Sequence, residues 1–85
     1  MSNKLPFNET IFENTRTRVF SGGLNEDELK WHRDRENRLV RVIESNGWEL
    51  QIDDELPKLM NNGDVFIIPE GVYHRIIKGS GDLKV

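Results

Sequence analysis

An all-β fold is what this sequence predicts, and three observations carry the expectation. Short runs rich in β-branched and aromatic residues alternate apolar with polar positions. Turn signals recur about every eight to twelve residues, the spacing of a β-sandwich or barrel. The one helical stretch, Asn25 to Trp31, is too short to stand alone.

The elements follow in order. Glu9 to Glu13 and Thr15 to Ser21 read as strands, ended by Gly22-Gly23. Leu29 to Arg35 alternates: Leu29, Trp31 and Arg33 on one face, Lys30, His32 and Asp34 on the other. Leu39 to Glu44 is a strand, and Ser45-Asn46-Gly47 signals a hairpin turn. Trp48, Leu50 and Ile52 alternate with Glu49, Gln51 and Asp53, a half-buried strand. Leu56 to Met60 is a short strand, and Asn61-Asn62-Gly63-Asp64 is a turn. Val65 to Ile68, His74 to Lys78 and Leu83 to Val85 complete the set.

Residues 63 to 78 carry the most specific pattern. Gly63 launches the apolar run Val65 to Ile68. Pro69, with no N–H for a ladder, ends it. Gly71 supplies a conformation that other residues reach under strain, and His74 opens the next strand. This spacing resembles the second signature motif of the cupin family, with Lys78 where that motif usually ends in Asn. The first cupin motif, His-x-His, a gap, then Glu, has a degenerate counterpart in Trp31 to Arg38. His32 matches the first His, Asp34 stands at the second, and the Glu position falls on Arg38 at the shorter gap or on Leu39 at the longer. Trp31 to Arg38 and Tyr73 to Arg75 are also similar to short cupin-like proteins predicted in marine phages. The resemblance implies a double-stranded β-helix, a jelly-roll-like barrel with its site inside. Residues 1–85 then form a single small cupin domain. Its N-terminal strands, residues 1–21, pack outside the barrel or at a dimer interface.

Composition bounds the function. A chain of 85 residues with 35% hydrophobic content has little core, and closing a sheet or pairing with a second copy makes up the deficit. The net charge of −3 argues against nucleic acid or an anionic membrane as main partner. No cysteine is present, so disulfides, zinc–thiolate sites and thiol catalysis are excluded. No apolar run approaches a membrane span, and Met1 to Pro6 lacks the apolar core of a signal peptide. A cytoplasmic protein is the default expectation.

The resemblance brings His32, Asp34 and His74 together across the barrel. Two imidazoles and a carboxylate suit Fe, and also Mn, Ni or Zn, and leave positions open for other ligands. No organic cofactor is indicated. The same ligand order occurs in 2-oxoglutarate oxygenases, for which Lys84 is the sole basic candidate by spacing. Arg38 is the candidate substrate-binding residue, able to hold a carboxylate or phosphate by a bidentate fork, or to pair with Asp34 or Glu44. The remaining arginines of this stretch, interleaved with Asp34 and Glu36, read as a solvated face. Trp31 and Trp48 read as core or interface residues, and Asp53-Asp54-Glu55 as an exposed turn. The leading expectation is a metal-dependent enzyme acting on a small, possibly anionic molecule. The alternatives are a non-catalytic binding or sensing cupin, and a structural dimer with a vestigial site. A homodimer is expected because the outward faces of the strands, with Leu29, Trp31, Tyr73 and Ile77, need cover.

Overall fold

The computed structural model describes residues 7–13, 15–24 and 29–85. Eight strands run in order: β1 (Asn8–Phe12), β2 (Thr15–Phe20), β3 (Arg38–Arg41), β4 (Glu49–Ile52), β5 (Lys58–Leu59), β6 (Val65–Ile68), β7 (His74–Ile77) and β8 (Leu83–Lys84). Every pairing is antiparallel. Three small sheets result, in the orders β1-β2-β8, β3-β6 and β5-β4-β7. No helix occurs among the described residues, and none there is long and apolar enough to cross a membrane. Of the short helical stretch considered above, residues 25–28 lie outside the described residues, and residues 29–31 are not helical. Met1 to Pro6 likewise lies outside them.

All three sheets contribute to one core. Phe20 and Leu83 come from the first, Ile68 from the second and Leu50 from the third. Val42, Trp48 and Met60 join them from the strand flanks. Strand alternation produces this directly: on β4, Trp48 and Leu50 are buried and Glu49 is not. Trp48 is 0% exposed, and its indole N–H donates to the Gly81 carbonyl at 2.7 Å, so its one polar atom is satisfied. Trp48 is therefore core, whereas Trp31 is exposed.

Two sequence expectations are corrected here. Leu29 to Arg35 does not form a strand; it touches a sheet through a single bridge at His32. Strict alternation lapses with the ladder, and Leu29, expected outside, packs against the core. Ser45-Asn46-Gly47 is not a hairpin turn. β3 pairs with β6 and β4 with β5 and β7, so this loop carries the chain from one sheet to another. Its backbone bonds go elsewhere: Ser45 N–H donates to Asn62 Oδ1 at 2.8 Å, and Glu44 bridges Lys84.

The glycine and proline punctuation of residues 63 to 78 acts as its chemistry requires. β6 ends at Ile68, before Pro69. Gly71 has φ of 75°, a left-handed value open to glycine at little cost. In that conformation its N–H donates to the Asp34 carbonyl at 2.9 Å. One residue earlier, Glu70 N–H donates to Asn37 Oδ1 at 2.8 Å. These two bonds latch the loop after β6 onto the segment that carries Asp34.

Candidate metal centre

His74 opens β7 and is buried. Opposite it lies His32, on the segment with no ladder of its own. The two residues exchange both backbone hydrogen bonds, His32 N to His74 O at 3.0 Å and His74 N to His32 O at 2.8 Å. This is a hydrogen-bonded antiparallel pair, so both side chains leave the same face. The imidazoles meet edge to face with centroids 4.2 Å apart.

The tautomers follow from their neighbours. His32 Nδ1 lies 3.2 Å from the Lys30 carbonyl, and His74 Nδ1 lies 3.0 Å from the Val72 carbonyl. A carbonyl only accepts, so each Nδ1 carries a proton and Nε2 is the nitrogen left to face a ligand. A backbone carbonyl behind Nδ1 is a common way to orient a metal-binding imidazole. Burial is the largest influence on His74 and pushes its pKa below the usual 6.5, against the opposing pull of the Val72 carbonyl and the Asp34 charge. His74 is thus held neutral, the form that binds metal.

Asp34 completes the group. Its Oδ2 is 3.5 Å from His74 Nε2 and 3.1 Å from Arg38 Nε. The aligned geometry of a hydrogen bond is missing at both: Asp34 Oδ2 and Arg38 Nε are each buried without a hydrogen-bond partner. Arg38 therefore pairs with Asp34, as its inward position at the head of β3 allows, through charge alone. The Arg38 charge compensates this buried oxygen in part, and a bound metal ion would take the lone pairs that no aligned donor fills.

The sequence-expected residues converge. One ligand atom from each of His32, Asp34 and His74 lies within 4.8 Å of the other two, a set that can hold a metal ion. Bonds of ~2.0–2.2 Å put tetrahedral neighbours roughly 3.5 Å apart; Asp34 Oδ2 and His74 Nε2 already stand at 3.5 Å, and the wider span of the set is closed by small side-chain movements. The donor set, two imidazoles and a carboxylate, fits a divalent cation. The three residues border a cavity of about 300 Å³ that runs inward to Leu50, Met60 and Leu83.

Lys84 does not reach this site. Leu83 fills the core, so its strand neighbour Lys84 points out and is exposed. The chain therefore offers no basic residue at that spacing for a 2-oxoglutarate-like co-substrate. Sequence reasoning missed Arg18, which borders the cavity from β2. It also missed two surface pairs behind the histidines. The Arg75 guanidinium lies 4.8 Å from the Trp31 ring centre, and that of Arg33 lies 5.3 Å from the Tyr73 ring centre. Both follow from the register: with His32 opposite His74, Trp31 falls opposite Arg75 and Arg33 opposite Tyr73.

No family model matches this chain, and no curated protein matches it. Among solved structures, the crystal structure of protein NMB1881 from Neisseria meningitidis is similar over 99% of this chain and 82% of that one, with a TM-score of 0.65 and 12% identity. At that identity the likeness speaks for the fold and for nothing more.

Proposed function

We propose that this chain is a small cupin whose cavity holds a divalent metal ion at His32, Asp34 and His74 and acts on a small molecule bound beside it. The observation that carries the reading is the buried Asp34 Oδ2. It has no aligned hydrogen-bond donor, only the Arg38 charge at 3.1 Å, and it lies within 4.8 Å of a nitrogen of each imidazole. The ion would serve as a Lewis acid or, as iron, as an oxygen-activating centre. Lys30 and Val72 carbonyls fix the ring orientations, and Arg38 holds a substrate group at the mouth.

The Arg38–Asp34 ion pair favours a second reading, a binding or sensing module that uses the same cavity without metal. Thermal denaturation with and without Zn²⁺, Mn²⁺, Fe²⁺ or Ni²⁺ separates the two. The metal reading expects a rise in midpoint with at least one ion that Asp34→Asn abolishes. No shift with any ion would leave the metal-free module.

We also propose that two copies associate. Support comes from the outer face of β3 and β6, where Leu39 (70% exposed) is paired directly with Ile67 (69% exposed), beside Val65. Trp31 and Tyr73 are exposed as the dimer expectation requires, while Leu29 and Ile77 are half-buried within the chain.

A further inference from the structure

The cavity beside the three ligands has two chemically distinct ends. Its inner wall is apolar: Phe20, Leu50, Met60, Ile68, Ile76 and Leu83. Its outer end carries Lys30, Arg38, Arg18 and the metal group. A volume of about 300 Å³ is at the lower limit of small-molecule sites. It is roughly twice the ~150 Å³ that accommodates one benzene ring.

Charge at the outer end decides the head group. The chain as a whole has a net charge of −3, yet among the described residues this cavity is bordered by three cations and one anion. Arg18 is occupied, with Nε 2.7 Å from Glu9 Oε2 and its guanidinium over the Phe7 ring. Among the described residues, Arg38 forms its ion pair with Asp34. Once Asp34 serves a metal ion, Arg38 loses the greater part of its counter-charge and turns its fork to another anion. Lys30, exposed at the rim, adds to the same field.

We infer that the ligand is an apolar-bodied anion, a carboxylate or similar group on a body of about one aromatic ring and a short linker. Its head faces Arg38, Lys30 and the metal, and its body fills the pocket against Leu50, Met60 and Leu83. The placement of the head rests on the metal reading above; the placement of the body does not.

Calorimetric titration tests this with three probes: 3-phenylpropanoate, 3-phenylpropanamide and acetate, each against metal-free and Zn²⁺-loaded protein. The expected result is that 3-phenylpropanoate binds at least tenfold tighter than either of the others, and tighter still with Zn²⁺. In Arg38→Gln its advantage over the amide should fall below about threefold. Met60→Trp should fill the pocket and abolish binding; the Arg38 variant keeps the test open if Met60→Trp does not fold. Equal binding of acetate overturns the apolar body, and equal binding of the amide overturns the anionic head. If Zn²⁺ itself does not bind, the metal reading falls, and the same probe ranking on metal-free protein still decides this inference. Absence of 3-phenylpropanoate binding in both forms overturns it.

Discussion

His32 and His74 face each other across a single antiparallel bridge, exchanging both backbone hydrogen bonds while their imidazoles stand 4.2 Å apart. His74 belongs to a four-residue strand, but His32 sits on a segment that forms no ladder. One bridge therefore sets the position of half of the imidazole pair, and Asp34 is fixed separately through the Gly71 N–H.

Arg38 opposes the metal it neighbours. Its charge lies against the proposed ligand Asp34, and like charges at this range repel by more than RT even with strong screening. Arg38→Gln should tighten Zn²⁺ binding by at least about tenfold, ~1.4 kcal/mol. Arg38→Glu should tighten it further by adding a fourth ligand. Competition titration with a chromophoric chelator measures both; unchanged affinity in the two variants would mean that Arg38 does not face the ion.

Acid should destabilise the metal-free protein through His74. Its folded pKa lies below the ordinary 6.5, because burial disfavours the charged ring. Above 6.5 the ring is neutral in both states and contributes nothing to the pH dependence. Below 6.5 the unfolded chain takes up a proton that the folded one resists, so stability falls with falling pH until the folded pKa is reached. The slope is at most ~1.4 kcal/mol per pH unit for one proton. Glu9, held below its usual 4.5 chiefly by its hydrogen bond to Arg18, gives a slope of the same sign, but only at pH below about 4.5. Urea denaturation from pH 7.5 to 5 should show the His74 slope in the parent and a flatter profile in His74→Gln.

The aromatic–cation pairs behind the histidines should act as a clasp for His32. Trp31→Ala removes the Arg75 contact, worth about 0.5–1 kcal/mol at an exposed site. Stability should fall by that order, and Zn²⁺ affinity should fall several-fold because the His32 segment has no ladder to hold it. Trp31→Tyr should restore the larger part of both. Lost stability with unaltered affinity would reduce the pair to a structural role.

The apolar outer face of β3 and β6 should make the protein dimeric. Light scattering should give about twice the 9.9 kDa chain mass. Ile67→Lys, which places a charge opposite Leu39, should return it to the chain mass with the fold retained. A parent that is monomeric at micromolar concentration contradicts the association.

Spacing made part of the site legible, and the resemblance to the cupin motifs supplied the expectation that His74 joins it. His32 and Asp34 are two apart and leave one face, and the Gly63, Pro69, Gly71 pattern fixes where His74 must start its strand. Strand positions were legible wherever alternation met a turn residue, as at Val65 to Ile68. What escaped depended on pairing between distant segments. Nothing local shows that Ser45 to Gly47 leads between sheets, since a turn has the same composition in a hairpin and in a crossover. Leu29 obeys alternation in sequence, but its segment joins no ladder beyond the His32 bridge, so its side chain is not held to the outer face and turns to the core. Arg18 is an ordinary strand residue until β2 is laid beside β8, and only then does it border the cavity.

The central claim is that His32, Asp34 and His74 bind one metal ion per chain. Elemental analysis of protein purified without chelator, beside Asp34→Asn and His74→Ala prepared identically, tests it most directly. The account predicts close to one equivalent of a divalent transition metal in the parent, after reloading if needed, and less than about a tenth of that in either variant. A parent that retains no ion after reloading, or variants that retain as much as the parent, would contradict it.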